Sequence, residues 1–178
     1  MSASNAEVVT IREIQEGDAG SFLDLLHKLD AETNYMMLEP GERQTTLAGQ
    51  RSRIRDWLAN QREIVLVADT GAELAGYVAL QGGVFRRNQH SGYLVLGVRQ
   101  AYGGRGLGRR LMELIEERAR QQGFHRLELT VMTHNPRAVS LYRKLGFEIE
   151  GLRRDSLLVG GRYVDEYYMA KLLSGAEG

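Results

Sequence analysis

Gln100-Ala101-Tyr102-Gly103-Gly104-Arg105-Gly106-Leu107-Gly108-Arg109-Arg110 is the stretch on which the reading of this chain turns. It follows the apolar run Gly92–Val98 and opens a helical segment from about Arg105 to Gln122, which Gly123 ends. A glycine-rich loop between a strand and a helix puts the free N–H groups of the first helical turn where an anion can reach them. The charges point the same way. Arg105, Arg109 and Arg110 crowd the helix start, whereas Glu113, Glu116 and Glu117 come later. Cations there oppose the helix dipole by about 0.3–1 kcal/mol each, a penalty that a bound polyanion reverses. The plainer use of these charges is an Arg109–Glu113 pair at i,i+4. Two nucleotide templates fail: the Walker A pattern, because Arg109-Arg110 follows Gly108, and G-x-G-x-x-G, because Arg109 holds its last position.

Outward from the loop the chain reads as alternating elements. Upstream, Val8–Ile14 predicts a strand, and Asp18 caps a helix through about Leu29 on the stripe Phe22, Leu25, Leu26 and Leu29. Thr33–Gly41 has no period and reads as a loop before a second helix, about Thr45–Asn60. Ile64–Ala68 and Leu74–Leu80 flank Asp69-Thr70-Gly71-Ala72-Glu73 as a hairpin. A polar loop, Gln81–His90, leads to Gly92–Val98, whose near-continuous apolar run predicts a strand buried on both faces. Downstream, His125–Met132 is a strand. Asn135 then caps a short helix with Pro136 in its first position and the stripe Ala138, Leu141, Tyr142 and Leu145. Gly146 stops it, and two strands, about Phe147–Val159 and Arg162–Leu172, close the chain around Gly160-Gly161. The order β α α β β β α β α β β, with a parallel crossover at 92–132, is that of an α/β domain.

The totals remove several classes. The chain has 178 residues, 43% of them hydrophobic and 26% charged, which suits one globular domain over 7–174. Residues 1–6 read as a disordered tail or an expression remnant. The absence of cysteine excludes disulfide scaffolds, zinc ribbons, iron–sulfur clusters and cysteine nucleophiles, and fits a reducing, cytoplasmic setting. Twenty-three basic side chains balance 23 acidic ones, so no general nucleic-acid footprint is expected. Apolar runs of about five or six residues predict no membrane span. His27, His90, His125 and His134 show no ligand spacing, so no metal is expected.

Two segments together resemble the GNAT family of N-acetyltransferases. That family places R/Q-x-x-G-x-G/A after its fourth strand; here the match is Gly103 to Gly108, with glycine at the first position. The second segment is Thr133-His134-Asn135-Pro136-Arg137-Ala138-Val139-Ser140-Leu141-Tyr142-Arg143-Lys144-Leu145-Gly146-Phe147. The similarity covers about 62–172 and implies a mixed central β-sheet flanked by helices and splayed between the fourth and fifth strands.

The resemblance also implies roles. Backbone at Leu96, Gly97 and Val98 would bind the pantetheine arm and acetyl carbonyl of acetyl-CoA. Gly103, Gly104, Arg105, Gly106, Leu107, Gly108 and Arg109 would hold the pyrophosphate. Asn135 would contact the arm, Tyr142 would protonate the departing thiolate, and Lys144 or Arg143 would meet the adenosine 3′-phosphate. On its own, the Tyr142 stripe position reads as a core tyrosine, and Asn135 as a cap. The acceptor would lie among Asn34, Tyr35, Glu39, Glu42, Tyr163, Asp165 and Tyr167, acidic surroundings that suit an amine. Many relatives carry an acidic residue on the fourth strand; Tyr93-Leu94-Val95-Leu96-Gly97-Val98 has none. A water chain, or Glu39, Glu42, His90, His134 or Asp165, would then serve as base. The closing strands are similar to the branch that acetylates ribosomal-protein N-termini or polyamines, and relatives of this kind are often homodimers. The expected activity is acetyl transfer to a small amine or peptide N-terminus. The alternative is a non-catalytic acyl-CoA-binding or sensor module on the same fold.

Overall fold

In the computed structural model, residues 8–173 are described, so the tail expected at 1–6 lies outside the described residues. Seven strands form one sheet. They are β1 (Thr10–Glu13), β2 (Glu63–Asp69), β3 (Leu74–Gly82), β4 (Ser91–Val98), β5 (Arg126–Met132), β6 (Glu148–Val159) and β7 (Arg162–Leu172). Their order in the sheet is β1-β2-β3-β4-β5-β7-β6. Every neighbouring pair is antiparallel except β4 and β5, which run parallel, as a strand–helix–strand crossover requires.

Four helices flank the sheet: α1 (Ala19–Glu32), α2 (Leu47–Ala59), α3 (Leu107–Gln121) and α4 (Pro136–Lys144). Strand alternation explains why they fall on two sides. Ile64, Leu66 and Ala68 of β2 meet Leu111, Ile115 and Ala119 of α3 in one core, with Tyr142 of α4 at its rim. The intervening Val65 and Val67 meet Phe22, Leu25 and Leu29 of α1 and Ile54 of α2 in the other.

This layering corrects the expectation for β4. Burial on both faces belongs to β2 and the first half of β3. In β4, Leu94 is buried against α3, but Tyr93 and Val95 remain 37% and 39% exposed. Helices α1 and α2 cover β2 and β3 and stop short of the lower part of β4. Hydrophobicity alone could not reveal where that cover ends.

Asp18 also departs from its expected role. Its side chain does not cap α1. It accepts from the Gln15 backbone N–H at 2.7 Å and takes the Arg12 guanidinium on both oxygens, at 2.7 and 2.8 Å. Arg12 in turn holds Asp69 across the sheet edge at 2.9 Å. Strand β1 is shorter than its apolar pattern suggests, and β3 runs on through Gln81 and Gly82, beyond the Leu80 end that the pattern suggests.

One ion pair is enclosed. Arg43, in the α1–α2 loop, reaches Asp30 of α1 at 2.6 Å, with side-chain exposures of 11% and 2%. It fixes the loop onto α1. Removing one partner of such a pair leaves the other charged and desolvated, which costs about 3–5 kcal/mol. Asp30→Ala should therefore lower unfolding stability by about 3 kcal/mol or more in urea titration. A loss under about 1 kcal/mol would show that Arg43 escapes to water.

Candidate active site

The β4–β5 pairing has three rungs, Ser91–Arg126, Gly92–Leu127 and Tyr93–Glu128, and then stops. Above it the strands part. The last tie is a hydrogen bond between the Tyr93 hydroxyl and Thr130 Oγ1 at 2.7 Å. Beyond that point the β5-facing edge of β4 has lost its ladder. Arg99 N–H donates to Ala75 of β3, so strand alternation turns the N–H groups of Val98 and Leu96 to the opposite edge, into the splay. Gly97 directs its own backbone groups to β3. A Cβ at Gly97 would fall 2.7 Å from Leu29 Cδ1, so its bareness lets α1 pack there.

The glycine loop stands directly above this splay. A 3-10 turn at Gln100–Tyr102 leads into Gly103, and Gly104 and Gly106 take left-handed φ values of 77° and 76°. Those two glycines turn the chain abruptly into α3. Helix α3 starts at Leu107, two residues later than the sequence pattern suggested, with Gly106 as a cap that has no side chain. Its first internal bond is Arg110 N–H to Gly106. The N–H groups of Leu107, Gly108 and Arg109 thus precede the helical ladder, an arrangement that binds anions. Arg109 does pair with Glu113, at 2.7 Å. Arg105 has no partner among the described residues.

The loop is anchored from below. Arg99 pairs with Glu32 at the end of α1 (2.8 Å) and with Glu73 in the β2–β3 turn, just before β3 (2.7 Å). Gln100 N–H donates to Glu32 Oε2 at 3.0 Å, and the Tyr102 hydroxyl donates to Glu73 at 3.1 Å. Lys28, then Tyr102 and Arg99, hold the Glu73 carboxyl below the usual carboxylate range against a smaller effect of burial. Local sequence pattern gives no sign of these ties, because they join residues far apart in the chain.

Tyr142 lies on α4, 8% exposed, with its ring 5.9 Å from Phe147. Its hydroxyl makes no hydrogen bond among the described residues. Burial, with a further push from the Tyr93 phenol, raises its proton affinity well above the ordinary tyrosine range. It is therefore neutral at physiological pH. Asn135 does cap α4: its Oδ1 accepts from Ala138 N–H at 3.2 Å.

The expected acceptor residues divide. The Tyr35 hydroxyl donates to the His134 carbonyl at 3.2 Å, and their rings lie 5.5 Å apart. Thr133 N–H donates to the Asp165 carbonyl. The α1–α2 loop, the end of β5 and the start of β7 are thus brought together near Asn135. Asp165 Oδ1 accepts from Asp155 N–H at 2.8 Å. Glu42 accepts from Glu39 N–H, and both are exposed, as is Asn34. His90 is not part of this cluster. It precedes β4, at the far end from the splay, where its carbonyl receives the His125 N–H. Lys144 lines a surface cavity with Arg143, Ser140 and Tyr167. Among the described residues no group of three or more His, Asp or Glu side chains could hold a metal ion, and no helix is long and apolar enough to cross a membrane.

Residues 25–147 match the family model for the acetyltransferase (GNAT) family. The chain belongs to this family and is an N-acetyltransferase. It is 30% identical to a GNAT-family acetyltransferase of known structure from Streptococcus pneumoniae, with a TM-score of 0.90 over 94% of this chain and 100% of that one. It is 35% identical over 108 residues to the L-amino acid N-acetyltransferase AaaT of Escherichia coli (strain K12), spanning 60% of this chain and 67% of the relative. It is also 36% identical over 94 residues to the ribosomal protein uS5-alanine N-acetyltransferase of Escherichia coli (strain K12), spanning 52% of this chain and about half (48%) of that protein.

Alkaline titration probes the buried phenols. Burial pushes Tyr77 up to about 12, and Tyr142 moves in the same direction. A raised folded-state value adds stability that is fully present below the unfolded value, about 10, and is lost as pH climbs through the folded one. Of the eight tyrosines, these two should ionise only together with unfolding, as ultraviolet difference absorbance would record. Complete ionisation of a still-folded protein near pH 10 would contradict the enclosure of Tyr142.

Proposed function

We propose that this chain transfers the acetyl group of acetyl-CoA directly to a primary amine, of a small molecule or a peptide N-terminus. The observation that carries this reading is the coincidence of the β4–β5 splay with the uncapped start of α3. One offers backbone donors at Leu96 and Val98, the other a phosphate cradle. Acetyl-CoA would supply an activated acyl carbon. Leu96 and Val98 N–H would hold the carbonyl oxygen as negative charge develops on it. Gly103 to Arg109 would hold the pyrophosphate. The Asn135 amide, beyond its capping bond, would meet the pantetheine arm, and Lys144 the 3′-phosphate.

The amine nitrogen bonds to the acyl carbon, the C–S bond breaks, and one proton passes overall from nitrogen to sulfur. Freeing the lone pair of an alkylamine at pH 7 costs about 4–5 kcal/mol, so the site must help. Glu39, Glu42, Asp165 and His134, on the elements gathered at Asn135, support a cation there and offer routes for its proton. Tyr142 would meet the departing sulfur. A free thiol titrates near 8.5, well below the buried phenol. Tyr142 therefore acts first as a hydrogen-bond donor to the developing thiolate. Burial of that thiolate raises its own proton affinity and brings the two groups closer to balance.

The acceptor reading starts from α-amines, since AaaT is named for L-amino acids and the second relative for a protein alanine. Asn34, Tyr35, Glu39 and Asp165 would line that pocket. A homodimer belongs to the same reading: Tyr93, Val95 and Tyr168 are exposed apolar or aromatic side chains on strands that α1 and α2 leave uncovered. The lack of cysteine supports a cytoplasmic setting.

Thiol release from acetyl-CoA, followed with a thiol-reactive dye over amino acids, N-terminal peptides, polyamines and aminoglycosides, tests the activity. The cysteine-free chain adds no background. Release with one amine class is expected. Stabilisation by acetyl-CoA without release from any amine would favour the acyl-CoA-binding module instead. Tyr142→Phe should slow turnover about tenfold or more while acetyl-CoA affinity is kept; unchanged turnover would remove Tyr142 from the chemistry.

A further inference from the structure

Gly103 stands where the family pattern has Arg or Gln, and its backbone gives no reason for a glycine. Its φ and ψ are −69° and 154°, an extended conformation open to any residue. The reason is steric. A Cβ built on Gly103 would lie 3.1 Å from the Gln100 carbonyl oxygen and 3.0 and 3.2 Å from Nη2 and Nη1 of Arg137, and one on Gly104 would lie 3.9 Å from Nη2. The Arg137 guanidinium of α4 thus lies against the loop, where a side chain at 103 would begin.

Arg137 is the second residue of α4 and is exposed. Among the described residues it has no carboxylate partner and no hydrogen-bond acceptor. Its five N–H donors are unspent beside a loop whose own N–H groups at Leu107, Gly108 and Arg109 also lack partners in the helix. A cation so early in a helix opposes the dipole. Positive charge thus gathers at two helix starts; Glu113 offsets Arg109, whereas Arg105 and Arg137 have no carboxylate partner among the described residues. An Arg fork matches a phosphate through two parallel hydrogen bonds, which a lysine cannot reproduce.

We infer that Arg137 grips the pyrophosphate of acetyl-CoA from the α4 side, supplying the side-chain cation that position 103 lacks. This rests on the cofactor reading above. Cation at 137 and glycine at 103 are coupled by contact, the charge standing on the facing helix rather than in the loop.

Calorimetric binding of acetyl-CoA to four proteins tests this: the natural chain, Arg137→Ala, Gly103→Arg, and the double variant with both. Arg137→Ala should weaken binding about tenfold to a hundredfold, as loss of a charged hydrogen-bond pair does, with the melting temperature of the unliganded protein unchanged. Gly103→Arg alone should also weaken binding, because its Cβ meets the guanidinium. The double variant should recover most of the affinity lost in Arg137→Ala. Acetyl-dephospho-CoA, which lacks the 3′-phosphate, should show the same loss factor for Arg137→Ala.

Binding of Arg137→Ala within twofold of the natural chain would overturn the inference and leave Arg137 a solvated cation. A loss that vanishes with acetyl-dephospho-CoA would move the contact to the 3′-phosphate and overturn the pyrophosphate assignment. Failure of the double variant to recover would break the coupling of 103 with 137. If the natural chain itself did not bind acetyl-CoA, the cofactor reading would fall, and this inference with it.

Discussion

The parting of β4 from β5 above the Tyr93–Glu128 rung is the constraint on which the rest depends. A parallel pair held along its full length would spend the N–H groups of Leu96 and Val98 on a neighbouring strand. By ending the ladder early, the sheet keeps those donors for a ligand. The cost of unpaired backbone is tolerable only where something else can pair with it, either water or a bound group. The Tyr93–Thr130 hydrogen bond marks where closure ends. Above it, α4 brings Tyr142 and Asn135 toward the gap, and α3 begins directly over it.

The Arg99 network sets the glycine loop relative to α1 and the loop that follows it. Glu32 closes α1, just before the α1–α2 loop, while Arg99 and Gln100 open the turn before Gly103. One carboxylate therefore ties the end of α1 to the turn that opens the glycine loop. The Asp30–Arg43 pair, two residues earlier on α1, fixes the same α1–α2 loop. Tyr35 then reaches across to the His134 carbonyl, next to the cap of α4. The groups proposed to meet in the reaction are thus held by hydrogen bonds between elements rather than by the elements themselves.

Much of this was legible in the sequence, for local reasons. The stripes at Phe22–Leu29 and Ala138–Leu145, the glycine clusters and the Asn135-Pro136 start gave the helices and their ends, because those signals act within a few residues. The pattern at Gly103–Gly108 pointed to the loop. Long-range geometry was not legible. Asp18 resembled a cap because the sequence does not show that Arg12 and Asp69 lie beside it. The apolar run of β4 resembled a fully buried strand because the reach of α1 and α2 over the sheet is a tertiary fact. Arg137 appeared only as a residue of the second segment, and its contact with Gly103 became visible when α4 was set against the loop.

The central claim is that the splay and the uncapped α3 start form one acetyl-CoA site. Residue-resolved amide hydrogen exchange, with and without acetyl-CoA, tests it most directly. The account predicts strong new protection at Leu96 and Val98 and at Leu107, Gly108 and Arg109, with Gly97, already bonded to β3, little changed. Saturating binding that leaves those five amides exchanging as before would contradict it.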